Sequence, residues 1–135
     1  MSISMPELLK GAKLEEQKPE IQANLLISLE KANKLRSAYG KPCTISSGFR
    51  TMVDHLRIYK EKGITDTSKI PMKSLHLSGE AFDISDPKQE LQKFIKANIK
   101  LVEEIGIWFE DFSVTTNWVH CQIKAPKSGN RFFKP

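Results

Sequence analysis

The chain has 135 residues, a formal net charge of +5, and hydrophobic and aromatic fractions of 39% and 8%. This length suits one domain that buries about two thirds of its unfolded surface, so folding requires no disulfide. No run approaches the ~20 apolar residues of a membrane span, and the dispersed basic charge lacks the patterns of nucleic-acid-binding proteins. We therefore expect a single domain over residues 1–135, with no membrane span and no nucleic-acid partner.

The first predicted element is a helix over residues 20–38, where leucines and isoleucine recur near helical spacing. Pro19 is suited to the first helical turn, and Gly40 to the position just past the last one. Residues 43–49, CTISSGF, follow as a short strand with alternating apolar and polar positions. The cysteine in it and Cys121 form no CxxC pair, so we expect both thiols to be reduced packing residues.

The middle of the chain predicts a second helix, a loop and a third helix. The second helix covers residues 51–62, and His55 on it has no evident partner, so we expect it to be solvated. A long loop is expected over residues 64–75, which contain a proline. The third helix is expected over residues 87–106, opened by Asp86 as its cap and by the proline that follows as its first residue.

Short strands separate and follow these helices. Residues 80–84 predict one strand, and residues 105–111 and 117–124 predict two more that can form a hairpin. The remaining residues, 125–135, are basic and predict a loop-like tail. Helices that flank short, antiparallel strands indicate an α+β domain.

Strand alternation places two polar residues away from the core. In EAFDI the apolar residues on either side of Asp83 face inward, so its carboxylate faces the opposite side. In NWVHCQI the set of valine, cysteine and isoleucine is purely apolar and marks the core face. His120 therefore shares the other face with Trp118 and Gln122, as residues that line a site do.

These positions predict a metal site. A catalytic zinc site uses three protein ligands and one open position. In HLSGEAFD, His76 lies in a loop, Gly79 allows the chain to turn, and Asp83 follows on a strand. His120 would complete a set of two histidines and one carboxylate. An ordinary hydrogen-bonded His–Asp pair is the alternative that the spacing leaves open.

Three sequence blocks resemble a known family. SSGFRT (46–51), SLHLSGEAFDI (74–84) and NWVHCQI (117–123) are similar, in this order, to the signature blocks of the M15 zinc D-alanyl-D-alanine peptidases. That family includes DD-carboxypeptidases, D-Ala-D-Ala dipeptidases and phage endolysins. The resemblance implies a small antiparallel sheet flanked by helices, in the hedgehog/DD-peptidase-like fold, and a bound Zn²⁺.

The resemblance also implies residue roles. His76, Asp83 and His120 match the zinc ligands of the family. Arg50 matches an arginine that contacts the substrate and polarises its carbonyl, although a surface arginine is the alternative. Ser74 matches a serine that hydrogen-bonds substrate or supports the first ligand. Trp118, beside the last histidine in strand alternation, is expected to contact substrate.

The general base is the position where the chain departs from the family pattern. Many members carry an acid three residues before the last histidine, and here that residue is Asn117, which does not titrate. Other branches carry a glutamate on the preceding strand, where WFEDF offers Glu110 and Asp111. Alternation in IGIWFED puts Glu110 on the polar face and Asp111 toward the core side or in the turn. We therefore predict Glu110 as the base; a solvated carboxylate at the hairpin end is the alternative.

The resemblance thus implies a zinc peptidase, expected to be a monomer, that cleaves peptidoglycan stem peptides or D-alanine-containing peptides. The alternative is a non-catalytic wall-binding or virion module of the same fold, which Asn117 favours. The first 20 residues lack a secretory signal pattern. We therefore expect synthesis in a cytoplasm and action on the wall after phage-type release or as part of a virion. Which bond is cleaved is left open.

Overall fold

The computed structural model of the protein describes residues 2–134; Met1 and Pro135, the two ends of the expected domain, lie outside the described residues. Helices and strands are interspersed along the chain. The helices are α1 (Met5–Leu9), α2 (Pro19–Tyr39), α3 (Met52–Glu61), α4 (Glu90–Ala97) and α5 (Ile99–Ile105). The strands are β1 (Ile45–Ser47), β2 (Ala81–Ser85), β3 (Trp108–Glu110), β4 (Trp118–Gln122) and β5 (Phe132–Phe133). Within residues 2–134, no helix has the length and apolar character needed to cross a bilayer.

The five strands form one sheet in the order β1-β2-β4-β3-β5. The first four strands pair antiparallel, with Asp83 of β2 directly opposite His120 of β4. The predicted α+β class and the hairpin of β3 with β4 are therefore confirmed. The prediction of a loop-like tail over residues 125–135 is wrong at Phe132–Phe133, because β5 pairs parallel with β3 at the edge of the sheet.

The long helix α2 confirms the helix start and helix end that Pro19 and Gly40 predicted. It begins at Pro19 and ends at Tyr39; the next residue, Gly40, takes a left-handed conformation with φ of 76° and donates its N–H to the Arg36 carbonyl. Leu25 and Leu35 on its inner face are fully buried. The preceding helix α1, absent from the sequence reading, begins with a capping box in which the Ser4 and Glu7 side chains exchange hydrogen bonds with each other's backbone.

The hydrophobic core lies between the helices and one face of the sheet. Phe82, Ile84, Phe109, Val119 and Cys121 supply the sheet's side of this core and are at most 1% exposed. Alternation assigned these residues to the core; it also assigned Ile123, which follows the end of β4 and is only half-buried. The opposite face of the sheet therefore carries the intervening residues and is free to form a site.

The third predicted helix differs from the structure in two ways. It begins at Glu90 rather than at the proline after Asp86, and it divides at Asn98 into α4 and α5. The Asn98 amide donates to the Phe94 carbonyl, so the side chain competes with the helical backbone at the break. Asp86 still caps the first turn of α4, because its carboxylate accepts hydrogen bonds from the backbone N–H groups of residues 91 and 92.

The prediction that His55 is solvated is wrong. Its side chain is 0% exposed, and its Nε2–H donates to the Pro71 carbonyl at 2.9 Å. The loop over residues 64–75, which contains a short 3₁₀ turn at Thr67–Lys69, brings the Pro71 carbonyl against the ring. Burial lowers the pKa of His55, and the hydrogen bond to Pro71 opposes this only in part.

Candidate metal centre

Three side chains converge on the polar face of the sheet. His76, Asp83 and His120 each offer a ligand atom, and these atoms all lie within 4.8 Å of one another. Nδ1 of His120 is 2.9 Å from one Asp83 oxygen, and Nε2 of His76 is 3.6 Å from the other. All three residues are buried or half-buried. The structure therefore brings together the three residues that the sequence predicted as metal ligands.

The loop that carries His76 is held against α2 by two hydrogen bonds. The Ser28 hydroxyl donates to the Gly79 carbonyl at 2.7 Å, and the Asn24 amide donates to the Ser78 carbonyl at 3.1 Å. Gly79 has φ of 76°, and a Cβ there would lie 2.8 Å from Cγ of Leu25. Only glycine combines this conformation with this close approach, which lets the chain turn from His76 into β2.

A backbone carbonyl orients His76. Its Nδ1–H donates to the Gly48 carbonyl at 2.9 Å, so Nε2 is the ring nitrogen that faces Asp83. Gly48 itself lies against α1, where an added Cβ would overlap the Leu8 carbonyl oxygen. Gly48, the residue after β1, thus contacts both the end of α1 and the first histidine of the cluster.

The charges in the cluster suit a bound cation. Burial alone would raise the pKa of Asp83, but hydrogen bonds from His120 and His76, with their charge, hold it well below its usual range. Burial favours neutral His120, yet the hydrogen bond and charge of Asp83 raise its pKa above the ordinary value. The hydrogen bond between Nδ1 of His120 and Asp83 marks the place where a metal ion could replace the shared hydrogen.

Two of the predicted substrate residues, Arg50 and Ser74, contact the backbone of His76. Arg50 donates its backbone N–H to the His76 carbonyl and its Nη2–H to the hydroxyl of Ser47, which pairs opposite Asp83 in the sheet. Its Nε is buried and has no hydrogen-bond partner among residues 2–134. The Ser74 hydroxyl accepts the backbone N–H of His76 at 3.3 Å, so Ser74 supports the loop at the first histidine.

The candidate bases differ in their surroundings. The register of β3 with β4 pairs Phe109 with Cys121, and its continuation by one residue places Glu110 beside His120. The charge of Glu110 is among the influences that raise the pKa of His120. Asp111 instead lies in the turn after β3, where its carboxylate accepts the backbone N–H and the hydroxyl of Ser113 at 2.9 and 2.6 Å.

The turn before β4 carries the remaining predicted residues. Asn117 is exposed there, and its backbone carbonyl accepts the N–H of Asp86. Trp118 follows as the first residue of β4 and is 37% exposed. By strand alternation its ring leaves the sheet on the same side as His120, so it is available to a bound molecule.

Two neighbours of His120 were not assigned a role from the sequence. Gln122 lies within hydrogen-bonding distance of its Nε2, at 3.0 Å, and the ring of Phe133 lies edge-on with centroids 6.1 Å apart. The shared face of Gln122 and His120 was a signal for the first contact. Nothing in the local sequence pointed to the second, because it depends on β5 joining the sheet.

A protein-family model described as peptidase M15 matches residues 4–122. The match covers most of the chain and includes all three cluster residues, whereas β5 lies beyond it. Neither the curated proteins nor the solved structures contain a match to this chain.

Proposed function

The chain belongs to the peptidase M15 family, and on that premise we propose that it is a zinc-dependent peptidase acting on peptidoglycan stem peptides or D-alanine-containing peptides. The observation that carries the proposal is the convergence of two imidazole nitrogens and one carboxylate on the polar face of the sheet. His76, Asp83 and His120 would supply the two-histidine, one-carboxylate donor set with which catalytic zinc sites keep one position open.

The donor set fits zinc on chemical grounds as well as on distance. Each histidine has its second ring nitrogen beside an oxygen acceptor, so the nitrogens that face Asp83 are available to a cation. Zinc, when bound, supplies a Lewis acid and makes water nucleophilic near neutral pH. His76, Asp83 and His120 would hold it.

Arg50 would hold and polarise the substrate. It also lines a pocket of about 180 Å³ with Ser46, Lys10 and Arg57, where basic side chains outnumber the single acid, Asp54. A planar guanidinium pairs with a carboxylate or a developing oxyanion through two parallel hydrogen bonds. Arg50 is therefore suited to a peptide substrate that carries a free carboxylate.

Glu110 would take the proton from the attacking water and deliver it to the leaving amine. Its place beside His120, at the end of a strand, supports this role. Asp111 is engaged by Ser113 in the turn, and Asn117 is an exposed amide that does not titrate. Trp118 would contact substrate through its exposed ring.

The test is the digestion of purified peptidoglycan and synthetic D-Ala-D-Ala peptides, with mass-spectrometric analysis of the products. The zinc-loaded protein is expected to release a defined fragment, which identifies the bond cleaved. Chelator-treated protein and the Asp83→Asn variant are expected to release none. An intact substrate after incubation with stoichiometrically zinc-loaded wild-type protein would refute the proposed activity.

The second candidate is a module that binds wall peptide without cleaving it, and the exposed amide of Asn117 favours it. Retention of the protein on purified wall with no new muropeptide would support this candidate. Action after phage-type release or within a virion stays a prediction. Addition of the protein to intact and to permeabilised cells would test it. The prediction requires lysis of the permeabilised cells alone, since only there does the protein reach the wall.

A further inference from the structure

We infer that Gln122 is a positioning residue that directs Nδ1 of His120 toward the metal, an inference that rests on the proposed zinc function. Gln122 follows His120 by two positions on β4, so both side chains leave the same face of the sheet. Its Oε1 lies 3.0 Å from Nε2 of His120, on the side of the ring opposite Asp83.

The orientation of the Gln122 amide follows from its second contact. Its NH₂ group donates to the Lys124 backbone carbonyl at 2.8 Å. A reversed amide would place two oxygens against each other at Lys124, so Oε1 must face His120. Because an amide oxygen only accepts, Nε2 of His120 must carry a hydrogen, and Nδ1 is left as the nitrogen that binds a cation beside Asp83.

Burial makes this arrangement rigid. Gln122 is only 7% exposed and pairs in the sheet with Ala81 on one side and Trp108 on the other. A buried amide that left these contacts would lose hydrogen bonds that water does not replace. The imidazole of His120 is therefore held in one orientation, with Nδ1 toward Asp83, before any metal arrives.

The two histidines are oriented by different parts of the chain. His76 donates to a backbone carbonyl, that of Gly48, which a substitution could displace through overlap with α1 but could not delete. His120 depends on a side chain, so a single substitution can remove its partner. Loss of such an outer hydrogen bond lowers metal affinity by about 10- to 100-fold in zinc proteins.

The experiment measures zinc affinity by competition with a chromophoric chelator for the wild-type chain and three variants. Gln122→Met keeps length and apolar bulk but removes the acceptor, and we expect its zinc dissociation constant to rise by about 10-fold or more. Gln122→Glu keeps an acceptor oxygen and is expected to restore most of the affinity. Gln92→Met is the matched control, since Gln92 is also 7% exposed but contacts backbone carbonyls only.

A nitrogen-15 NMR measurement on the zinc-loaded proteins separates positioning from a general loss of structure. In the wild type, the hydrogen of His120 is expected on Nε2, with slow solvent exchange. In Gln122→Met, that hydrogen is expected to exchange much faster. Slow exchange should persist in Gln92→Met, even if this variant unfolds at a lower temperature.

The outcomes distinguish this inference from the proposed function. If the wild-type chain fails to bind zinc, the proposed zinc function and the inference both fail. If the wild type binds zinc and Gln122→Met binds it equally well, only the inference is overturned. It is also overturned if Gln122→Glu is as weak as Gln122→Met, or if the hydrogen of zinc-bound His120 resides on Nδ1.

Discussion

Replacement of Glu110 by glutamine tests the assignment of the general base. The substitution keeps the size and hydrogen-bonding reach of the side chain and removes its ability to take a proton. Removal of a general base typically slows an enzyme by ~10²–10⁴-fold, which corresponds to roughly 3–5 kcal/mol in the activation free energy. We expect this loss in kcat with the zinc content unchanged, because Glu110 is outside the group of three ligand atoms.

The neighbouring acid provides the matched control. The Asp111 carboxylate accepts two hydrogen bonds from Ser113, which lower its pKa and make it a weaker base. The Asp111→Asn variant is therefore expected to keep activity within a few-fold of the wild type, an order-of-magnitude expectation for a group outside the reaction.

The assay is the initial rate of peptide hydrolysis, measured for zinc-loaded proteins of verified metal content. If Asp111→Asn loses the activity and Glu110→Gln retains it, the face assignment of β3 is incorrect. If both variants of an active enzyme retain full rate, the proton is taken by another group, and the reasoning from strand register is refuted.

Three further predictions concern the residues around the cluster. Arg50→Lys is expected to lower kcat/KM by roughly 10-fold or more, about 1.4 kcal/mol, because lysine lacks the paired planar donors; circular dichroism should show an unchanged fold. Gly48→Ala is expected to cost ~1–3 kcal/mol of stability through overlap with the Leu8 carbonyl and to weaken zinc binding, measured by denaturant titration and chelator competition. The raised pKa of His120 means that its ion pair with Asp83 stabilises the metal-free protein below pH ~6.5 and is lost as the pH rises through the folded pKa. The difference in unfolding free energy between wild type and His120→Gln, both with chelator, should therefore shrink as the pH rises from about 6.5 through the folded pKa of His120.

Each of these has its own control and refuting result. Unchanged kinetics in Arg50→Lys would remove the arginine from the substrate site. Gly63→Ala, at φ of 81° with nothing near its Cβ, should cost about 1–2 kcal/mol in backbone strain without affecting zinc; equal effects of Gly48→Ala and Gly63→Ala on zinc would contradict the steric argument. A wild-type advantage over His120→Gln that grows with pH would contradict the assigned direction.

Local sequence determined the features that depend on backbone geometry alone. Side chains alternate between the two faces of any strand, so the apolar residues of β2 and β4 were enough to place Asp83 and His120 together on the polar face. Likewise, Pro19 and Gly40 mark the ends of α2 because one lacks a backbone N–H and the other adopts a left-handed conformation without strain. The motif residues could be read in the same way, since each lies within a short block of the chain.

Tertiary structure decided everything that depends on contacts between distant segments. The burial of His55 follows from the fold of the loop that carries Pro71 over α3, and the strand character of Phe132 and Phe133 follows from an available edge on β3. The orientation of His76 depends on the Gly48 carbonyl, 28 residues away. A propensity or a period describes only the neighbours of a residue along the chain, whereas hydrogen bonds and burial are set by whichever segments the folded chain brings into contact.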